Sequence, residues 1–222
     1  IDTVYQRVLA LANKEQRGYI TPQEFNLFAN HAQMEIFEQY FYDLNQSARV
    51  PGNDYIYADV DDILEEKLQI FQRNGPMNTF GSLPDTVYRV YRVELSGVNC
   101  EILKSEDFNN AINGGPLIKP SIHRPIASIM GNRLQVSDGI SNIATADVSY
   151  FRKPSNVQWG YVVVNKKALY DPTYTIHFEL HQSEESELVY KILKFAGVSM
   201  KNIDIVRAGQ IQEQSQVQQQ KQ

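Results

Sequence analysis

The chain has 222 residues, of which 42% are hydrophobic and 21% charged, so its composition is that of an ordinary folded protein that can bury a core without disulfides or metals. The formal net charge of -5 argues against a protein that binds DNA mainly through its phosphates, because that mode of binding needs a dense basic face. The sequence has no apolar run near the roughly 20 residues of a membrane helix, no signal peptide and no second cysteine beside Cys100, so we expect folding in a reducing cytoplasm without membrane insertion or secretion.

The clearest local signal is a helix start at Thr21. Thr21 is a suitable N-cap, a proline follows it at the first helical position, and Glu24 completes a capping box. Apolar residues then follow the three-and-four spacing of an amphipathic helix over residues 21–45. The same spacing predicts shorter helices over residues 2–13 and 60–72. The N-terminal third is therefore predicted to be a helical bundle.

After a turn-rich stretch at residues 74–84, the hydrophobic period changes from that of helices to that of strands. Segments rich in Val and Tyr predict strands, and Gly131-Asn132 is typical of a tight two-residue hairpin between two of them. A short helix capped by Ser105 is predicted over residues 106–112. The predicted strands are residues 86–95, 99–103, 126–130, 133–136 and 146–151.

The C-terminal part begins with one more predicted strand, at residues 174–180. Ser183 is a suitable cap for a helix over residues 184–195 that ends at Gly197. From Gln210 onward glutamine dominates, so this tail is too polar to fold alone and we expect a partner to order it.

The predicted fold class is α+β: a helical bundle with an inserted small antiparallel β domain and an extended C-terminal tail. The predicted parts are residues 1–80 as the helical bundle, 81–158 as the inserted antiparallel β domain, 159–202 as a strand and helix returning to the bundle, and 203–222 as the Gln-rich tail.

Candidate chemical sites are few, and each has a structural explanation. The acidic run at residues 59–66 suits the first turns of a helix and lacks the glycine of an EF-hand loop. His177 and His181 are four residues apart, but they fall at a predicted strand and lack the glutamate of the zinc protease motif. Cys100 falls inside a predicted strand, where cysteine is usually a small core residue. We therefore predict no catalytic residue, no metal ligand and no cofactor.

A family resemblance rests on four segments with packing and capping roles. These are Tyr19–Asn26, Ile36–Phe41, Phe178–His181 and Glu187–Leu193. Together they resemble virion proteins of crAss-like and related tailed phages that infect Bacteroidetes. The resemblance implies a structural role in the virion, after assembly in the cytoplasm of the bacterial host.

The order of helices around a β insertion also resembles the adaptor or ring proteins of short-tailed phages. That likeness of architecture implies a non-enzymatic adaptor that forms a dodecameric ring at the head-to-tail junction. The implied partners are further copies of the chain, the portal protein and other tail or ring proteins, with DNA only as a neighbour in the channel. Within the Gln-rich tail, apolar residues would bind the portal: Ile203, Val206, Ile211 and Val217.

Two alternatives stay open beside the adaptor. The first is a capsid or tail accessory protein at another position in the particle. The second is a phage hydrolase or nuclease, in which Asp59 and Asp62 would act with His31 as acid and base.

Overall fold

The computed structural model describes residues 1–14, 20–47, 55–77, 81–140, 142–143 and 146–199. The chain divides into two compact units. Unit 1 consists of Ile1–Ile70 and the chain from Pro154 onward, and unit 2 consists of Phe71–Lys153. From the sequence, we predicted the corresponding boundaries after residues 80 and 158.

The helices and strands alternate irregularly along the chain. The helices are α1 (Asp2–Lys14), α2 (Pro22–Ser47), α3 (Tyr55–Gln69), α4 (Ser105–Asn113) and α5 (Glu185–Ser199). The strands are β1 (Gln72–Pro76), β2 (Val87–Leu95), β3 (Val98–Asn99), β4 (Glu101–Leu103), β5 (Ile126–Met130), β6 (Arg133–Ser137), β7 (Asn142–Ile143), β8 (Asp147–Arg152), β9 (Tyr161–Val164) and β10 (Lys167–Tyr170).

The fold is mixed α+β, and the prediction of a helical bundle with an inserted antiparallel domain is wrong. Roughly 43% of the described residues are helical and 29% lie in strands, which form three sheets. Unit 1 contains the β9–β10 hairpin and an extended segment that packs on α2. In unit 2, β4 and β5 pair in parallel, because α4 lies between them and supplies the crossover that parallel strands need. The predicted extended tail lies outside the described residues.

The predicted start of α2 is confirmed. The Glu24 N–H donates to Thr21 Oγ1 at 3.3 Å, and the Thr21 N–H donates to Glu24 Oε2 at 2.9 Å, which is a reciprocal capping box. These bonds lower the pKa of Glu24 below its ordinary value, because the backbone and then the side-chain bond from Thr21 stabilise the carboxylate. The helix α1 is also confirmed, whereas α3 begins before residue 60 and ends at Gln69, because Gln72 opens β1.

Unit 2 is built from two four-stranded sheets with the orders β1-β8-β2-β3 and β4-β5-β6-β7. The predicted hairpin at Gly131-Asn132 is confirmed, since β5 and β6 pair antiparallel on either side of it. The cap predicted for α4 is wrong: Ser105 is the first helical residue, and Lys104 holds the cap position without a side-chain bond. The core of the unit lies among small and branched residues, including Val93, Ala127, Leu134, Val136 and Val148.

The predicted strand at residues 174–180 is wrong. A 3₁₀-helix at Pro172–Tyr174 occupies its start, with the Thr173 N–H donating to the side chain of Asp171 at 2.8 Å. Only Ile176 makes an isolated bridge, to Gln158. The helix α5 follows as predicted and buries Leu188, but it continues through Gly197.

Among the helices that the structure describes, none is both long and apolar enough to cross a membrane.

Candidate assembly surface

Side-chain amides of α2 hold an extended segment of unit 1 by bonding to its backbone. Asn30 donates to the Val157 carbonyl at 2.9 Å and accepts from the Val157 N–H at 2.7 Å. Asn26 makes the same pair of bonds to Trp159, at 3.3 and 2.7 Å. The two spacings match, because four residues of helix rise about 6 Å and two residues of strand about 6.6 Å. A helix face thus takes the place of a neighbouring strand.

The third member of this amide row is Gln33, one turn further along α2. Its Nε2 donates to the Ser155 carbonyl at 2.8 Å, and its Oε1 accepts from the Glu179 N–H at 3.1 Å. The Ser155 N–H in turn donates to the Glu179 carboxylate at 2.8 Å. Gln33 is buried, so these bonds satisfy polar groups that water does not reach.

Trp159 anchors the base of the β9–β10 hairpin. The indole is buried, and its Nε1–H donates to Asp2 Oδ1 at 2.9 Å. The rings of Tyr5, Tyr161 and Tyr170 surround it, with centroids 4.4, 5.7 and 5.9 Å away. The hairpin therefore projects from a rigid aromatic base that α1 helps to form.

Gly160 lets the base of the hairpin approach the following turn closely. A Cβ on this residue would lie 2.6 Å from the Tyr174 carbonyl carbon and 2.7 Å from the Asp171 carbonyl oxygen. The Gly160 N–H donates to Thr175 Oγ1, which donates onward to the Asp171 carbonyl at 2.7 Å. A larger residue at position 160 would push these groups apart.

Apolar side chains on both faces of the hairpin are exposed. Val163 is 67% exposed, and Val162, Val164 and Leu169 are also exposed. The turn residues Asn165 and Lys166 both have positive φ, at 51° and 63°, as a tight I′ turn requires. A two-stranded hairpin is marginal by itself, and apolar patches of this kind are typical of interaction sites.

The sequence contained signals for this hairpin that our predictions missed. Three valines precede Asn165, and Ala168, Leu169 and Tyr170 follow the turn, which is the pattern of two short strands around a two-residue loop. The loop is Asn-Lys instead of Asn-Gly, so the usual glycine signal is absent.

Unit 2 has a second exposed apolar surface on the loop between α4 and β5. Leu117 is 95% exposed, and Ile118 and Ile122 on the same loop are exposed as well. The loop after β6 lies against it, because a Cβ on Gly139 would overlap the Pro120 carbonyl oxygen. Exposed hydrophobic side chains are thus found on each unit.

Ion pairs of two buried lysines connect the helices of unit 1. Lys67 Nζ of α3 lies 2.6 Å from Glu184 Oε1, with 11% and 3% of the two side chains exposed. Lys191 Nζ of α5 lies 3.1 Å from Glu35 Oε1 of α2 and 3.6 Å from Glu187 Oε1. Each charge has a partner at short range, which is the condition under which charges are tolerated in a core. Sequence patterns had not indicated these pairs.

Tyr40 lies beside this charged group. Lys67 Nζ is 5.6 Å from the centroid of its ring, which is a cation–π geometry. Burial, and after it the carboxylates of Glu184 and Glu187, raise the pKa of Tyr40 far above its ordinary value. The phenol is therefore neutral across the physiological range.

The residues of the enzyme alternative occupy ordinary positions on helices. His31 on α2 is exposed, and its ring packs edge-on to Phe195 at 4.5 Å. Asp62 is exposed on α3, and the side chain of Asp59 lies outside the described part.

His181 caps the 3₁₀-helix before α5, because its Nδ1 accepts from the Ser183 N–H at 3.3 Å, so Ser183 is not the cap that we predicted. Over the described ranges, no three His, Cys, Asp or Glu side chains are placed to hold a metal ion.

The four predicted portal-binding residues lie beyond residue 199, outside the described part of the chain. They are Ile203, Val206, Ile211 and Val217.

Cys100 is buried beside the core of unit 2, and we expect its thiol to react slowly. Burial, and then the nearby Glu94 carboxylate, raise its pKa to about 11, well above that of an ordinary thiol, which lowers the thiolate fraction about 100-fold at neutral pH. Labelling with a chromogenic disulfide reagent should therefore be at least about 100-fold slower in the folded chain than in urea, with glutathione as the reference thiol. Equal rates in the two states would show that the thiol is accessible.

Comparison with known proteins gave no match, either to a family model or to a curated protein.

Proposed function

We propose that this chain is a structural subunit of a tailed phage particle, and that it forms a ring-shaped adaptor between portal and tail. The observation that supports this role best is the exposed β9–β10 hairpin, whose two faces are apolar although its base is rigidly held. An exposed apolar hairpin lowers the stability of an isolated chain. Its side chains become buried when a partner covers them. The phage identity of the partners comes from the resemblance of the four segments that carry it.

The second exposed surface, around Leu117, gives the subunit another site for contact. In the adaptor, the hairpin would contact neighbouring copies, while the surface on unit 2 would face tail components. The Gln-rich tail would occupy a crevice of the portal, with Ile203, Val206, Ile211 and Val217 as apolar contacts. A capsid or tail accessory protein at another position would expose similar surfaces, and locating the chain in an intact particle separates the two roles.

Native mass spectrometry of the purified chain, alone and mixed with the portal of the same phage, tests the proposal. We expect a ring of a single stoichiometry, a dodecamer, bound to the portal. A chain truncated after Ala208 should keep its unfolding temperature and its ring but bind the portal more weakly, because the tail contributes to attachment.

One result would contradict the adaptor itself, and another would contradict only the proposed role of the tail. A chain that stays monomeric with the portal, and is missing from portal-containing particles, is not an adaptor. Equal portal binding by the complete and truncated chains would remove the tail from the contact while leaving the ring in place.

A further inference from the structure

We propose that neighbouring copies pair hairpin to hairpin, with the β9 edge of one copy hydrogen bonded to the β10 edge of the next. This inference rests on the proposed ring and names the contact within it. The sheet of two strands per copy would then continue from subunit to subunit.

The backbone geometry leaves matching groups on the two edges. The Asp171 N–H donates to the Gly160 carbonyl at 2.9 Å, so these two residues are a hydrogen-bonded pair. From this pair toward the turn, non-hydrogen-bonded and hydrogen-bonded pairs alternate. The N–H and C=O groups of Tyr161 and Val163 therefore point away from β10, and those of Ala168 and Tyr170 point away from β9. Among the described strands, none pairs with either edge.

The β9 edge lacks the features that protect an exposed strand from pairing. Natural edges carry charged residues, proline or a bulge, whereas β9 is Tyr161–Val164 and contains none of them. Three consecutive valines also have high β-propensity. An edge of this composition is expected to be covered in the working state.

The β10 edge has space beside it for another strand. A groove of about 550 Å³ lies between β10 and α1, and Tyr5, Leu9 and Trp159 line it together with Leu169. These side chains form the apolar part of the groove, and Asp2, Gln6, Lys166 and Lys167 line the rest. An incoming valine-rich strand would be buried against the apolar part. The groove belongs to unit 1, as does the hairpin.

Copies of the same chain, one on each side, are the occupants that cover both edges of every hairpin in a ring. A strand from an unrelated partner would cover one edge and leave the other open. In a cyclic ring all hairpins point the same way, so β9 of one copy and β10 of the next run antiparallel, as they do within one hairpin. The contact joins two different edges, and such head-to-tail contacts close into rings.

Cross-linking of mixed variants tests this contact. One sample carries Val163→Cys, another carries Ala168→Cys, and the unaltered chain, which keeps the buried Cys100, is the blank. After mixing and treatment with a short bis-maleimide reagent, we expect at least about 10-fold more covalent dimer than with either variant alone, since opposite residues of paired strands lie close. A dimer from Val163→Cys alone would indicate two-fold β9–β9 pairing and overturn the inference.

A proline substitution distinguishes hydrogen bonding at the β9 edge from non-specific hydrophobic association. Val163→Pro removes an outward N–H without breaking a bond inside the hairpin, and should reduce the ring fraction in native mass spectrometry at least about 10-fold. Val163→Thr keeps the N–H and the β-propensity while lowering hydrophobicity, and should assemble like the unaltered chain. Rings that form equally with Val163→Pro, without mixed cross-links, would overturn the inference and leave the proposed function standing. A chain that never oligomerises would overturn both.

Discussion

Replacing Lys67 by methionine is expected to lower the free energy of unfolding of unit 1 by about 3–5 kcal/mol. Methionine resembles the stem of lysine in length, so little packing is lost. The Glu184 carboxyl group, however, would remain in a buried site without the ammonium group that lies 2.6 Å from it in the unaltered chain. The cost is that of an uncompensated charge, which exceeds the cost of a lost surface contact several-fold.

Urea unfolding followed by tryptophan fluorescence measures this effect. Trp159 is the one tryptophan of the chain and lies in unit 1, so its signal reports on the unit that contains Lys67. The matched control is Arg7→Ala, which removes an ion pair to Glu185 with 54% and 31% of the two side chains exposed. Because more than half of the Arg7 side chain is exposed and water screens its charge, the control should cost no more than about 1 kcal/mol.

A double variant shows whether the unpaired charge is the cause. Lys67→Met combined with Glu184→Leu removes both charges, and should recover most of the lost stability, because apolar residues of similar volume often replace a buried pair without loss. If the double variant is as unstable as the sum of the two single ones, the pair does not interact as the distance implies.

The helices were predictable because their signals are local. The capping box at Thr21 and Glu24 depends on residues three apart, and the structure contains both of its bonds. The spacing of Leu188 and Ile192 likewise fixed the buried face of α5. The ends were less predictable, because α3 stops where Gln72 pairs with Phe151 of β8, far along the chain.

The fold class was mispredicted because the decisive contacts are between distant residues. Asn26, Asn30 and Gln33 looked like the polar side of an amphipathic helix, whereas they bind backbone more than 120 residues away. Only the extended segment itself shows what these amides do, and its alternation of Val157 and Trp159 with polar residues is too short to predict a strand. The packing that turns unit 1 into a mixed α+β unit is therefore invisible in a single window.

The candidate assembly surface was predictable in part. The tight turn after three valines is a local pattern that a search for Asn-Gly loops passes over. The exposure of these side chains could not be predicted from local sequence. It depends on a distant contact, in which Tyr5 of α1 covers Trp159 while β9 stays uncovered. The ion pairs of Lys67 and Lys191 could not be predicted either, because a buried lysine cannot be told from a surface lysine in the sequence.

The second large effect is expected for Asn30→Ala. This change removes both bonds to Val157, which is buried, and leaves its N–H and carbonyl without partners inside unit 1. Each orphaned buried group costs about 1–3 kcal/mol, so for the two groups we expect a loss of about 2–6 kcal/mol in the free energy of unfolding, measured in urea by Trp159 fluorescence. Trp159 lies two residues after Val157. Its fluorescence emission should therefore also shift to longer wavelength in the folded variant, because the aromatic base loosens.

Two controls decide whether the amide bonds cause this loss. Leu27→Ala lies on the same helix at an exposed position, and should change stability by less than about 0.5 kcal/mol, since both residues are good helix formers. Asn30→Asp keeps the acceptor for the Val157 N–H at 2.7 Å but replaces the donor to the Val157 carbonyl with an oxygen. The two oxygens then repel, and at neutral pH this variant should be at least as unstable as Asn30→Ala, whereas protonation at low pH restores a donor and with it part of the stability. If Asn30→Ala unfolds like Leu27→Ala, the amide row does not hold the segment in solution, and the base of the hairpin must depend on its other contacts, such as the Trp159 bond to Asp2 and the surrounding tyrosine rings.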